Sequence, residues 1–193
     1  MSGGVKVEHL GLDGVLRITP RVFEDARGSF SETYSQRSLR DAIGDMVFVQ
    51  DNVSRSVKRG AVRGLHYQDP PFAQAKLVRV LRGSIFDVAV DIRRGSPTYG
   101  RHVALTLTAA SGAQIFVPHG FAHGFCTLED DTEVFYKVDA LYSPEHDRAI
   151  HWADPALGID WPIEPSAGIL SPKDAAAPRF ADIASPFAYK AAQ

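Results

Sequence analysis

The stretch "KLVRVLRGSIFDVAVDI", residues 76–92, decides the fold. It reads as two β-rich runs that meet at Arg82-Gly83-Ser84, where a glycine supplies a corner that residues bearing a Cβ resist. In the second run Phe86, Val88, Val90 and Ile92 share one face, while Ile85, Asp87, Ala89 and Asp91 share the other. That two-residue period belongs to a strand, not a helix. Working outward, "HVALTLTA" (102–109), "AQIFVP" (113–118) and "TEVFYKVDALY" (132–142) continue the pattern. They are separated by Ser111-Gly112, Pro118-His119-Gly120 and the acidic Glu129-Asp130-Asp131, all turn-forming clusters. The middle of the chain is therefore a β domain. Many antiparallel strands with Gly and Pro at the corners form a sandwich, a barrel or a jelly roll, and pattern leaves all three open.

Outside this region, "SQRSLRDAIG" (35–44) predicts a helix, with Leu39 and Ile43 four residues apart and Gly44 placed to end it. The stretch "WPIEPSAGILSPKDAAAPRF" (161–180) reads as an ordered loop with one short helical turn. No internal repeat, low-complexity segment or long linker interrupts the chain, so its 193 residues are expected to form one domain.

Composition removes several function classes. Of the chain, 45% is hydrophobic and 23% charged, and the net charge is only −2 with both signs dispersed, so it has no basic field suited to nucleic acid or an anionic membrane. The opening "MSGGVKVEHLGLDG" lacks the apolar core of a signal peptide, and no later run is long enough to cross a bilayer. Cys126 stands alone, which excludes an intrachain disulfide, argues against a cysteine-based zinc site and fits a reducing cytoplasm; within a sheet it is expected to be buried. No dinucleotide fingerprint, P-loop or nucleophile elbow occurs.

The chemistry centres on "RGLHYQDPP" (63–71). As a metal ligand, His66 would want a second histidine two residues away, so that both rings leave one face of the strand; Gln68 occupies that place. His119 and His123, four apart around Gly120, need not converge on one ion. As a filler, His66 would be a neutral imidazole satisfied by a carbonyl. A third role is suggested by Arg63, Lys76 and Tyr136, the last predicted to share a strand face with Val134 and Val138. A base, a cation and a phenol are the parts needed to remove a proton beside a carbonyl, hold the enolate and return a proton. Asp174 carries two readings of its own. Ser171-Pro172-Lys173-Asp174 has the form of a helix start with Ser171 as cap and Asp174 as the acidic partner of a capping box; the alternative makes Asp174 the carboxylate that orients His66, and the same oxygen atoms cannot fully serve both. Any phosphate in a ligand would fall to side chains such as Arg27, Arg63 and Lys173.

These residues lie in an order that resembles one family. "FEDARGSFSETY" (23–34), "FVQDNVSRS" (48–56), residues 59–100, "VPHGFAHGF" (117–125), "YKVDALYSPEHDRAIHW" (136–152) and "LSPKD" (170–174) are similar to the dTDP-4-dehydrorhamnose 3,5-epimerases, from about Gly14 to Pro178. The resemblance implies a mainly β cupin jelly roll with a few short helices, one domain over residues 1–193, no cofactor and no metal. It implies that His66 is the base, Asp174 its carboxylate partner, Tyr136 the proton donor, and Lys76 the cation at the keto oxygen. Arg27, Glu32, Gln50, Asn52, Arg63, His123, Asp147 and Lys173 are implied to contact the dTDP-sugar, some of them across a homodimer. Asp147 replaces the glutamate usual at that contact, His102 a common tryptophan, and the interval from Tyr136 to Asp174 is one residue longer than the pattern. The implied reaction turns dTDP-4-dehydro-6-deoxy-D-glucose into dTDP-4-dehydro-L-rhamnose in the cytoplasm, for a deoxysugar polysaccharide such as O-antigen. An epimerase of one centre, a 3,4-ketoisomerase and a cupin that only binds sugar are the alternatives.

Overall fold

A computed structural model describes residues 4–190; the first three residues of the amino-terminal stretch read for a leader lie outside them. In chain order the strands are β1 (Val5–His9), β2 (Leu16–Pro20), β3 (Phe23–Asp25) and β4 (Gly28–Phe30), followed by helix α1 (Gln36–Ile43). Then come β5 (Gln50–Ser56), β6 (Val62–Gln68), β7 (Lys76–Arg82), β8 (Ser84–Asp91), β9 (His102–Thr108) and β10 (Gln114–Val117). The series closes with β11 (Phe121–Thr127), β12 (Thr132–Val138), β13 (Asp147–Ala149) and helix α2 (Pro172–Ala175). They form a six-stranded sheet ordered β1-β2-β10-β7-β12-β5, a five-stranded sheet ordered β13-β6-β11-β8-β9, and the separate β3-β4 hairpin. Two facing antiparallel sheets that exchange neighbouring strands make the jelly roll.

The corner at Gly83 is where the chain changes sheets, since β7 and β8 lie in different layers. Its φ is +77°, and a Cβ there would lie 2.5 Å from Thr132 Oγ1. Between the layers, Val78, Val80, Ile115 and Val134 of one sheet meet Ile85, Ala89, Leu107 and Phe125 of the other. The two faces of β8 thus have different fates. Ile85 and Ala89 pack in this interior, while Val88, Val90 and Ile92 turn outward and join Leu65, Ile150 and Leu157. Ile159, Trp161, Phe180 and Ile183 of the carboxy-terminal region cover that outer face. Both sides of the five-stranded sheet are therefore out of water, which makes apolar and aromatic residues there strongly stabilising.

That region holds more structure than one helical turn. Short 3-10 turns at Pro165–Ala167 and Phe180–Asp182 flank α2, because Pro165 sets the first and the apolar contacts of Phe180 hold the second against the sheet. Helix α1 forms where its pattern predicts: the Ser35 side chain accepts from the Ser38 amide, Gly44 ends it, and Leu39 is buried against Leu16, Leu77 and Phe116. Strand β11 shows no alternation because all seven residues are buried, as expected for a central strand covered on both faces. Cys126 lies on it, and burial pushes its thiol up to about 11.

One irregularity positions the site. His123 pairs with His66 and Phe125 with Arg63, so three steps on β6 answer two on β11. The extra residue lets an odd and an even position, Arg63 and His66, share one face, which is what a bulge does. Two glycines allow it. Gly64 has φ +122°, and a Cβ there would sit 2.6 Å from the Gly124 Cα and 2.7 Å from the His123 carbonyl oxygen. A Cβ on Gly124 would in turn meet the Arg63 carbonyl oxygen at 2.7 Å. Replacing Gly64 by Ala should therefore lower the unfolding free energy by on the order of 3 kcal/mol, from backbone strain and overpacking together. Gly95→Ala, at φ +82° but with open space around it, should cost only about 1 kcal/mol. Urea midpoints of the two variants check this, and equal losses would contradict it.

Candidate active site

The bulge feeds a cavity of about 220 Å³ between the sheets. Arg63, His66, His123 and Phe125 line it from the five-stranded sheet; Ser54, Lys76 and Tyr136 line it from the other. Ser171, Lys173 and Asp174, at the start of α2, close the wall. A smaller recess of about 110 Å³ shares His66, Lys76, Tyr136 and Lys173, and adds Gln74, Tyr142 and Asp147.

His66 Nε2 lies 2.5 Å from Asp174 Oδ1, and Asp174 is 4% exposed. For Asp174 the orienting role takes the carboxylate, and the capping box keeps its Ser171 half. Its backbone N–H donates to Ser171 Oγ at 3.1 Å, which supplies the cap, while its carboxylate turns to the imidazole. Burial works against the charged carboxyl. The hydrogen bond and charge of His66, with Ser171 and Lys173, overcome it and hold the group below the usual carboxylate range.

On the facing sheet, Tyr136 pairs with Val78 and Lys76 with Val138, so the ammonium and the phenol stand diagonally on neighbouring strands. Burial lowers Lys76 to about 8; Asp147 and Asp87 pull it up, and Lys173 pushes it further down. Burial raises the Tyr136 phenol, with Arg63 opposing and Asp147 adding to the shift, which keeps the proton on oxygen. The start of β7 is fixed by Asp139, whose Oδ1 accepts from the Ala75 amide at 2.7 Å and whose Oδ2 meets His119 Nε2 at 2.8 Å. His123 Nε2 faces the buried Asp87 carboxylate at 2.9 and 3.0 Å. His119 and His123 thus serve separate carboxylates.

The remaining expected contacts divide into two groups. Arg63 donates from Nε to Ser56 Oγ at 3.2 Å and from Nη2 to the Arg55 carbonyl at 3.1 Å. Gln50 and Asn52 share the inward face of β5, joined by a 2.8 Å hydrogen bond, with Asn52 opposite Tyr136. Asp147 accepts from the Tyr142 hydroxyl at 3.0 Å and from Lys173 Nζ, so the shorter acid at this place is engaged by both. Arg27 and Glu32 do not join the cavity. Arg27 pairs with Asp25 at the exposed turn of the β3-β4 hairpin, and Glu32 accepts from Ser38 Oγ. His102 packs on the framework, its Nδ1 3.0 Å from the Leu157 carbonyl oxygen. Ser54, Phe125, Gln74 and Tyr142 are lining residues that the sequence reading did not single out. Alternation points to the first two, each two residues beyond an expected contact; Gln74 and Tyr142 lie on loops, where no period applies.

The family model for dTDP-4-dehydrorhamnose 3,5-epimerase matches residues 9–182. A protein of that name from Sinorhizobium fredii is 50% identical over 182 residues, covering 94% of this chain and 93% of its own. Its namesake from Pseudomonas aeruginosa is 50% identical over 179 residues, covering 92% and 97%. Among solved structures, the dTDP-6-deoxy-D-glucose-3,5-epimerase of Legionella pneumophila in complex with dTDP-4-keto-L-rhamnose superposes with a TM-score of 0.91. It is 42% identical, and the match covers 97% of this chain and all of that one.

The Asp174 geometry has a consequence for stability. A carboxyl whose folded value is depressed stabilises the fold above its unfolded value, about 3.9, and loses that contribution as pH falls through the folded one. Asp174→Asn should therefore flatten the loss of stability between about pH 5 and pH 2. Urea midpoints across that range measure it, and a curve parallel to the parent's would show that the carboxylate contributes nothing.

Proposed function

The chain belongs to the dTDP-4-dehydrorhamnose 3,5-epimerase family, and we propose that its cavity carries out that isomerase reaction with His66 as base and Tyr136 as acid. The substrate is dTDP-4-dehydro-6-deoxy-D-glucose and the product dTDP-4-dehydro-L-rhamnose. The observation that supports these roles is the placing of imidazole and phenol on facing sheets of one cavity, with Lys76 beside the phenol.

The C4 ketone acidifies the hydrogens on C3 and C5 alike. His66 takes one of them, and the C–H electron pair moves into the ring as the C4 oxygen becomes an enolate. The Lys76 ammonium donates to that oxygen, while the Asp174 carboxylate offsets the charge of the imidazolium. Tyr136 then gives its proton to the opposite face of the same carbon, inverting it. A proton returned from His66 to Tyr136 through solvent resets the pair, and a second cycle inverts the other centre. Acid–base help of this kind contributes about 10²–10⁴-fold and one well-placed oxyanion donor about 10²–10³-fold, so neither suffices alone.

Arg63 and Lys173 take the diphosphate, for which forked and point cations are suited. Gln50, Asn52, His123 and Asp147 complete the nucleotide-sugar contacts. Arg27 and Glu32 serve the cavity of a second copy in a homodimer, a reading supported by their lying outside the lining of their own cavity and by the exposed Phe23 and Phe30 on the hairpin that carries Arg27. The chain acts as one cupin domain in the cytoplasm, consistent with a lone buried thiol and with no described helix long and apolar enough to cross a membrane. Its product feeds a surface polysaccharide such as the O-antigen of lipopolysaccharide.

In deuterated water the enzyme should place label at both C3 and C5, read by NMR of the sugar; label at one carbon would reduce the activity to a single-centre epimerase. His66→Ala and Tyr136→Phe should each lower turnover at least 100-fold with the fold intact by circular dichroism. With Lys76 titrating at about 8, kcat/KM should fall as pH rises through that value, and Lys76→Arg should move the alkaline limb upward. Co-expressed Arg27→Ala and His66→Ala chains should recover about a quarter of wild-type activity, because half the dimers are mixed and one of their two sites is whole. No recovery would place Arg27 outside a shared site.

A further inference from the structure

On the inward face of β5, Gln50, Asn52, Ser54 and Ser56 alternate, and three of the four have partners. Gln50 donates to Asn52, and Ser56 accepts from Arg63. Ser54 is the exception: its Oγ is shut from water and has no hydrogen-bond partner among the described residues, although the residue lines the cavity. A buried hydroxyl left unpaired is costly, and one in a cavity wall is a group that a ligand can complete.

The register says where such a ligand atom would lie. Ser54 pairs with Val134, and Tyr136 with Asn52 on one side and Val78 on the other. Lys76, Tyr136 and Ser54 therefore step diagonally across β7, β12 and β5, with the phenol in the middle. Each step spans roughly 7–8 Å. Lys76 stands on one side of the proton donor and Ser54 on the other.

We propose that Ser54 is a further substrate contact, its hydroxyl turning about χ1 into the cavity to hydrogen-bond the C2 hydroxyl of the sugar; this rests on the epimerase reading of the cavity. The substrate ring carries two free hydroxyls, at C2 and C3. The C3 hydroxyl changes face when its carbon inverts, so a fixed wall contact to it would be broken in the course of the reaction. The C2 carbon inverts in neither half. A neutral group that both donates and accepts suits a hydroxyl, whereas the phosphates have Arg63 and Lys173.

The test is calorimetry with dTDP-6-deoxy-D-glucose, which lacks the ketone and does not turn over, and with its 2-deoxy counterpart. Wild type should bind the 2-deoxy compound about five- to tenfold more weakly. Ser54→Ala should bind the two equally, at the weaker level, with a melting midpoint no lower than wild type; Ser54→Thr should keep the discrimination. A Ser54→Ala protein that discriminates as well as wild type, or that loses stability, overturns the proposal. Deuterium exchange by wild type is scored separately. Its absence would remove the epimerase reading, while the binding comparison would still decide what Ser54 touches.

Discussion

The approach of two backbones at Gly64 and Gly124, closer than any side chain would permit, is the constraint from which the cavity follows. It lets β6 carry one residue more than β11 between paired positions. Without that extra step, Arg63 and His66 would face opposite sides of the sheet, one toward the interior and one toward the tail. With it, the Arg63 guanidinium and the His66 imidazole open into the same space, opposite the phenol. The cost in conformational entropy of two glycines is small beside the geometry they permit.

Electrostatics in the cavity follow from burial tempered by pairing. Each inward imidazole of the five-stranded sheet has a carboxylate behind it, Asp174 for His66 and Asp87 for His123. A carboxylate in that position fixes which ring nitrogen carries the proton, leaving the other for the ligand. On the facing sheet no carboxylate among the described residues pairs directly with Lys76, and the charges of Asp147 and Asp87 only partly offset the burial that brings its proton within reach of ordinary pH. Tyr136 is pushed the other way. One desolvated wall thus makes the ammonium a better hydrogen-bond donor while keeping the phenol protonated until it is needed.

Much of this was legible in the residues. The alternation of 85–92 puts Asp87 on one face with Ile85 and Ala89, a face that the packing turns inward, and Tyr136 lies in line with the buried Val134 and Val138. Helix α1 was legible because its cap, its period and its terminal glycine agree. What the residues could not reveal was anything that depends on breaking the period. Strict alternation separates Arg63 from His66, and spacing alone does not mark the bulge that brings them to one face. Strand β11 carried no pattern because it is buried on both faces. The capping box and the orienting role compete for one carboxylate of Asp174, and spacing along the chain does not show that His66 lies within its reach; in space the carboxylate meets the imidazole while the amide serves the Ser171 cap.

The tail that covers the outer face of the five-stranded sheet also delivers Asp174, more than a hundred residues after His66. Ribosomal synthesis runs from the amino end, and domains fold as their segments emerge. A nascent chain could close both sheets and seat His66, Lys76 and Tyr136 while the carboxylate was still inside the exit tunnel. The barrel would then exist before the pair does, so the imidazole acquires its carboxylate partner among the last events of biosynthesis, and a prematurely terminated chain would be a shell whose imidazole lacks the carboxylate behind it.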